Sequence, residues 1–245
     1  EYSKVEKYVK LFTAKKLNGI IIVVDSCDIS DEQYEKIISV CNANKIPLLV
    51  IESSTNRDFN SHCNAIMIDD YHAIETLTDQ LIQNGHREFG LIFDRLDYNR
   101  LETVKAVLQK KGIELPEHRI YITDKRNQIA GVEGMNYFLE KKDFPTAFVA
   151  SYDEICIGAL KCAQDFGFKA PEDFSIFSFD NIRISEYVFN GITTIQIPIH
   201  KVADIAISTI MNEIVNGIDK SKTITRITSE AVIRNTTGPV PDRKR

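Results

Sequence analysis

Nothing in this 245-residue sequence approaches 18 consecutive apolar residues, which excludes a helix of ordinary membrane-spanning length. A secretory signal peptide is likewise missing, as it also is from the mature form of a secreted protein. The five cysteines, Cys27, Cys41, Cys63, Cys156 and Cys162, contain no Cys-x-x-Cys pair. Cys41, Cys156 and Cys162 fall at helical positions that read as ordinary core. A chain of this length buries roughly 70 to 75% of its unfolded surface, so no disulfides are needed, and a reducing, cytoplasmic location is the inference. Excess positive charge is lacking too. Lys and Arg number 30 against 35 Asp and Glu, a net of −5, where a nucleic-acid surface requires clustered cations. The basic tail, Asp242-Arg243-Lys244-Arg245, reads as a frayed, solvated terminus.

Signatures of catalysis are also missing. No Gly-x-Ser-x-Gly, His-Glu-x-x-His, P-loop or Gly-x-Gly-x-x-Gly motif occurs, and His62, His72, His86, His118 and His200 show no metal-ligand spacing. His62 and Cys63 are adjacent, which points their side chains apart and denies them the geometry of a nucleophile and its base. An enzyme, a resident metal and a cofactor are therefore not expected. No repeat with a period of about 20 to 50 residues and no low-complexity linker breaks the chain.

What the sequence does contain is an alternation of short apolar runs with amphipathic stretches. Residues 1–16 put Val5, Tyr8, Val9 and Phe12 on one helical face, ahead of a buried strand from Ile20 to Val24. Ser30 with Gln33 makes a capping box for a helix whose inner face carries Tyr34, Ile37, Ile38 and Cys41. Pro47 opens a strand, Leu48 to Ile51, and a polar loop then leads to a short strand, Ala65 to Ile68. Asp69 and Asp70 follow, then a helix carrying Ile74, Leu77, Leu81 and Ile82 that Asn84-Gly85 stops. Further strands are expected at 88–93, 119–122, 146–150 and 174–179, and helices at 98–111, 129–141 and 154–166. Such alternation is the pattern of right-handed βαβ units and a parallel sheet. A last amphipathic helix carries Val202, Ile205, Ala206, Thr209, Ile210 and Ile214, and an extended segment, 223–235, completes the chain. Only three strands precede Gly85 and the chain opens on a helix. A doubly wound lobe needs a first strand near its middle, so the sequence is expected to lack its own beginning.

The segment Phe174 to Pro198 is where a site is expected. Its apolar run stops at Asp180, and in an open α/β sheet ligands gather just outside the carboxyl ends of the strands. The alternative is that Asp180 caps the following turn. Beyond it, the β-branched segment Ile192 to Ile197, closed by Pro198, reads as a route out of one sheet and into another.

The series Phe179-Asp180-Asn181, Glu186-Tyr187 and Ile192-Thr193-Thr194-Ile195-Gln196-Ile197-Pro198 resembles the effector-binding domain of the LacI/GalR family of transcriptional regulators. Asn84-Gly85-His86-Arg87, Arg100-Leu101-Glu102, Pro145-Thr146-Ala147, Asp153-Glu154, Gly158-Ala159-Leu160, Pro171-Glu172-Asp173 and the ending Val232-Ile233-Arg234-Asn235-Thr236-Thr237 extend the resemblance over nearly the whole chain. It implies an α/β fold of the periplasmic-binding-protein-like type I kind, with two doubly wound parallel-sheet lobes, three crossovers and an N-terminal truncation. The truncation would remove a strand, a helix, a strand and a helix-turn-helix headpiece. The lobes would be residues 1–87 with 197–222, and 88–196 with 223–245.

A hinged cleft between the lobes would hold a small polar effector, such as a sugar, a sugar phosphate or a nucleobase-like molecule. Asp180 and Arg100 match the family's effector-binding aspartate and arginine, a carboxylate with about four acceptor sites and a planar fork. A solvated arginine at a helix start is the other reading of Arg100. Asp70, at a strand end, is a further candidate, with an N-cap as its alternative. Tyr152 stands before Asp153 where the family usually has asparagine, and could stack on a ring or fill the space a sugar would take. Lys125 and Arg126, with Arg95, Arg100 and Arg183, would make a cationic cleft for an acidic or phosphorylated effector, unless some of them point to solvent. The function implied is the effector-binding and dimerisation core of a regulator that forms a homodimer and reaches operator DNA through a headpiece outside this sequence. A periplasmic-type solute-binding protein and a hybrid regulator with a winged-helix headpiece are the rival readings. Asp180→Ala and Arg100→Ala are both expected to abolish ligand binding and to leave the fold intact.

Overall fold

The computed structural model describes residues 2–24, 30–53, 63–141, 143–219 and 221–242. Cys27, His62 and the tail Arg243-Lys244-Arg245 lie outside these, as does the side chain of Val5. In chain order the elements are α1 (Tyr2–Ala14), β1 (Ile20–Val24), α2 (Asp31–Ala43), β2 (Leu48–Glu52), β3 (Asn64–Asp69), α3 (Tyr71–Gln83), β4 (Phe89–Asp94), α4 (Tyr98–Lys110), β5 (Ile120–Thr123), α5 (Asn127–Leu139), β6 (Ala147–Ala150), α6 (Asp153–Asp165), β7 (Ser175–Phe179), β8 (Thr193–Gln196), α7 (Ile199–Asn216), β9 (Ile224–Thr228) and β10 (Glu230–Val232). Among the described residues no helix is long and apolar enough to cross a membrane.

The chain divides into two compact units, residues 1–69 with 198–228 and residues 70–197 with 229–245. The first holds a sheet of order β1-β2-β3-β9, parallel throughout, with Ile20 opposite Leu48 and Ala65 opposite Ile224. Its core joins Val9 of α1 and Tyr34, Ile37, Ile38 and Cys41 of α2 to Leu48, Val50 and Met67 of the sheet. The start of α2 is fixed by the capping box: Gln33 N–H donates to Ser30 Oγ, and Ser30 N–H donates to Gln33 Oε1 at 2.8 Å. Tyr8, expected to face inward, is exposed instead. It lies one position before buried Val9, about 100° around the helix, and its ring stacks on Phe12 at 6.0 Å.

In the second unit the strand order is β10-β8-β7-β6-β4-β5, with β10 alone antiparallel to its neighbour. Alternate residues serve opposite faces, as the two-residue period of a strand requires. Phe89, Leu91, Phe93, Val149, Phe177 and Phe179 pack with α3 and α4, while Ile92, Phe148, Ala150 and Ile176 pack with α5 and α6. The sheet order reverses at β4, with β5 on one side and β6 on the other. A reversal of this kind opens a crevice at the carboxyl ends of the strands, because the helices on either side depart to opposite faces.

The division of the chain corrects the expected lobe boundaries. Helix α3 belongs with the second unit, because Ala73, Ile74, Leu77 and Leu81 pack into the core that β4 and α4 form. Strand β9 belongs with the first, because it extends that sheet beside β3. The chain therefore passes between units at Asp69–Asp70, Ile197–Pro198 and Thr228–Ser229.

Candidate functional site

Three strand ends of the second unit's sheet, or the turns directly after them, and the start of one helix contribute polar side chains to one neighbourhood. Asp94 ends β4, Ser151 and Tyr152 follow β6, Asp180 follows β7, and Arg100 projects from the first turn of α4. Asp180 N–H still donates to Ile195 O at 2.8 Å, as a sheet residue would, but its φ of 91° and the 46° of Asn181 turn the chain sharply away. Non-glycine residues rarely adopt that left-handed region, and such strain persists where the surroundings hold it.

Arg100 is the hub. Its Nη2 donates to Asp180 Oδ1 at 2.7 Å, Nε to Asp70 Oδ2 at 3.3 Å and Nη1 to the Ser151 carbonyl at 3.2 Å. Asp97 Oδ1 lies 3.8 Å from Nη1, and the guanidinium carbon stands 4.9 Å over the Phe179 ring. Opposed by its own burial, the charge of Asp180, then of Asp70 and Asp97, holds the guanidinium firmly protonated, above its ordinary range. Asp70 occupies the N-cap position of α3 yet makes no side-chain cap bond; its carboxylate accepts from Arg100 and, at 2.5 Å, from Ser229 Oγ.

Beside this hub lies a second group. Asp94 Oδ1 accepts from the N–H groups of Leu96 at 2.9 Å and Asp97 at 3.2 Å, while Oδ2 accepts from Tyr152 O–H at 2.9 Å. Tyr152 Oη in turn accepts from Asn127 N–H at 2.9 Å, and Arg126 Nε stands 3.5 Å from Asp94 Oδ2. Tyr152 is buried, and its phenol is pushed up chiefly by that burial.

The sequence candidates thus separate. Asp180, Arg100 and Asp70 meet in one hydrogen-bonded cluster, with Tyr152 and Arg126 alongside. Asp153 does not face solvent at all: one oxygen accepts from Ser178 and Thr194 hydroxyls, the other from Ser185 O–H and Ile182 N–H. Its chemistry is to fix the turn after β7, and the expectation of direct ligand contact is corrected accordingly. Arg183 is exposed on a short helical turn after that. Within the second unit the five expected cations do not all gather: Arg95 pairs with Asp124 on the surface at 2.7 Å and Lys125 is exposed. Asp94, Asp97, Ser151 and Ser229 were not singled out in the sequence. Asp94 carried the same signal as Asp180, a carboxylate ending an apolar strand, whereas Ser229 carried none.

Comparison with known proteins adds a lineage to this geometry. A family model described as a periplasmic binding protein-like domain matches residues 78–237. The HTH-type transcriptional repressor PurR of Proteus mirabilis is 26% identical over 227 residues, which cover 90% of this chain and 64% of that repressor. The transcriptional repressor ascG of Escherichia coli superposes with a TM-score of 0.79 at 23% identity, over 97% of this chain and 84% of its own. A LacI family transcriptional regulator from Enterococcus faecium, solved with bound ribose, gives 0.77 at 21% identity, over 95% and 83% of the two chains. These two structures, at such identities, testify to the fold.

Proposed function

Because the chain belongs to the family of periplasmic binding protein-like domains, we propose that it is the effector-binding core of a LacI/GalR-type transcriptional regulator, taking a small polar metabolite at the Arg100 cluster. The observation that carries this reading is the ion pair of Arg100 and Asp180, residues 80 apart in sequence, set at the carboxyl ends of a sheet whose strand order reverses there. Repressor relatives such as that of Proteus mirabilis, and the ribose held by the Enterococcus faecium regulator, support the same assignment. The net charge of −5 fits a core that leaves DNA contact to a headpiece outside these residues. The protein acts as a homodimer in the cytoplasm, and the effector biases it between two states by a coupling on the order of 1 to 3 kcal/mol.

The test is a thermal-shift screen of small polar metabolites, where a ligand at 100 times its dissociation constant adds about 2.7 kcal/mol. Asp180→Ala abolishes the shift of a true effector and leaves the unliganded protein folded, because this side chain is 35% exposed and stands beyond a strand end. A hit that shifts Asp180→Ala as much as the parent overturns the site. Arg100→Ala, expected from the sequence to be equally harmless, is not a clean test: removing this buried cation leaves Asp70 without its counter-charge.

A further inference from the structure

The proposed effector site, on which this inference rests, holds more negative charge than positive. Asp70, Asp94, Asp97 and Asp180 stand against Arg100 and Arg126, and the side chain of Arg126 is 53% exposed. The hydrogen bonds of Arg100 are already spent on Asp70, Asp180 and the Ser151 carbonyl, so its fork has little left for an incoming anion. Asp70 and Asp94 are likewise engaged through both oxygens. Asp97 and Asp180 differ. Asp97 shares Arg100 at 3.8 Å with two other carboxylates, Asp180 binds it through one oxygen, and their side chains are 15% and 35% exposed. Both keep acceptor capacity that a ligand from solvent can reach.

We propose that the effector brings the missing positive charge, as a protonated amine on a small hydroxylated frame, seated against Asp97 and Asp180. An anion would meet three carboxylates around an arginine that is already neutralised, with Asp94 beside Arg126, and a neutral polyol would leave the excess charge uncompensated. The strain on Asp97 is visible without a ligand. Burial, followed by the charges of Asp94 and Asp180, pushes its carboxyl up to about 7 against the pull of Arg100 and of a hydrogen bond from Ser151. Those groups face it from α4, from β4 and from the turns after β6 and β7, and Arg126, just before α5, acts on Asp94 and on Asp97 itself. A cation seated there favours ionised Asp97. Binding therefore releases a proton from Asp97 below pH 7, and affinity for the cation rises as pH increases.

The experiment uses calorimetry and thermal shift on the full 245-residue chain at pH 6 and pH 8. The probes are matched sets of small hydroxylated compounds: sorbitol, its 6-phosphate and 1-amino-1-deoxysorbitol, with parallel trios built on shorter polyols and on pentoses. The amines chosen remain charged across that range. The expected result is that hits fall in the amine class and bind up to about tenfold more tightly at pH 8 than at pH 6, one pH unit either side of a group titrating near 7. In Asp97→Asn, which mimics the protonated carboxyl and keeps the fold, that pH dependence vanishes and affinity at pH 8 falls at least about tenfold. Neutral or phosphorylated hits that Asp180→Ala abolishes overturn the charge assignment while the effector reading stands. An amine hit unchanged in Asp97→Asn also overturns it. Silence from all three classes overturns the proposal together with the reading beneath it.

Discussion

A single carboxylate can look functional in sequence and be structural in space, and Asp153 is the instance here. Its two oxygens accept from Ser178 at 2.5 Å, Thr194 at 2.7 Å, Ser185 at 2.5 Å and Ile182 N–H at 2.8 Å, joining α6 to β7, β8 and the turn between them. Asp153→Ala strands several buried donors and is expected to cost roughly 3 kcal/mol in urea unfolding, with a loss under about 1 kcal/mol refuting the role. Burial pushes Cys41 up to about 11 and Cys63 up to about 12, and raises Cys156 and Cys162 as well. In a Cys27→Ser background, native protein at pH 8 therefore resists a thiol reagent that labels all four after denaturation; fast native labelling contradicts this. Asp180 and Asp70 were legible because a strand end has a known direction, whereas the enclosure of Asp153 was not, since the hydroxyls that satisfy it come from residues up to 41 positions away.

At the scale of elements, the tightest joint is between α5 and α6. A Cβ on Gly131 would lie 1.9 Å from Ile155 O, and one on Gly158 would lie 2.0 Å from Gln128 O, so these helices touch backbone to backbone. The clash is with main chain, which has no rotamer to yield. Gly131→Ala or Gly158→Ala must therefore part the helices, and each is expected to lose at least about 3 kcal/mol, the upper range of overpacking, whereas Gly112→Ala, which meets no atom within 4 Å but sits at a φ of 71°, is expected to lose only the roughly 1 kcal/mol of left-handed backbone strain. Stability of Gly131→Ala within about 0.5 kcal/mol of the parent would show that the joint is looser. The alternation of strands and helices was readable from periodicity, and so were most boundaries to within two residues. Which sheet α3 and β9 join was not readable, because an amphipathic stripe shows that a helix packs without showing on what.

Across the second unit, His86 ties the approach to β4 to the chain's closing segment. Its Nε2 lies 3.0 Å from the Gly238 carbonyl and therefore donates, its Nδ1 accepts from the Thr146 hydroxyl at 3.0 Å, and Ser175 Oγ stands 3.1 Å from Nε2. Burial lowers its pKa from the ordinary 6.5, opposed by the bond to Gly238. Between that lowered value and about 6.5 the unfolded chain binds more protons, so the stability His86 contributes is present above 6.5 and is lost as pH falls through the folded value. Asp97 works with the opposite sign, because a raised carboxyl pKa makes the folded state the better proton acceptor. The two are separated by difference. The gap in unfolding free energy between parent and His86→Gln is expected to be about 1 to 2 kcal/mol at pH 7.5 and to shrink towards pH 5; a constant gap refutes the linkage.

The sequence by itself determined the α/β class, the parallel strands, the caps and the polar residues waiting at strand ends, because each of these follows from local periodicity and backbone preference. Tertiary structure alone decided that Arg100 lies among three aspartates, that Asp153 is sealed, and that α3 joins the second unit. Charge and burial depend on which distant segments converge, and strand order, which sets that convergence, is written in the packing of faces and nowhere along the chain.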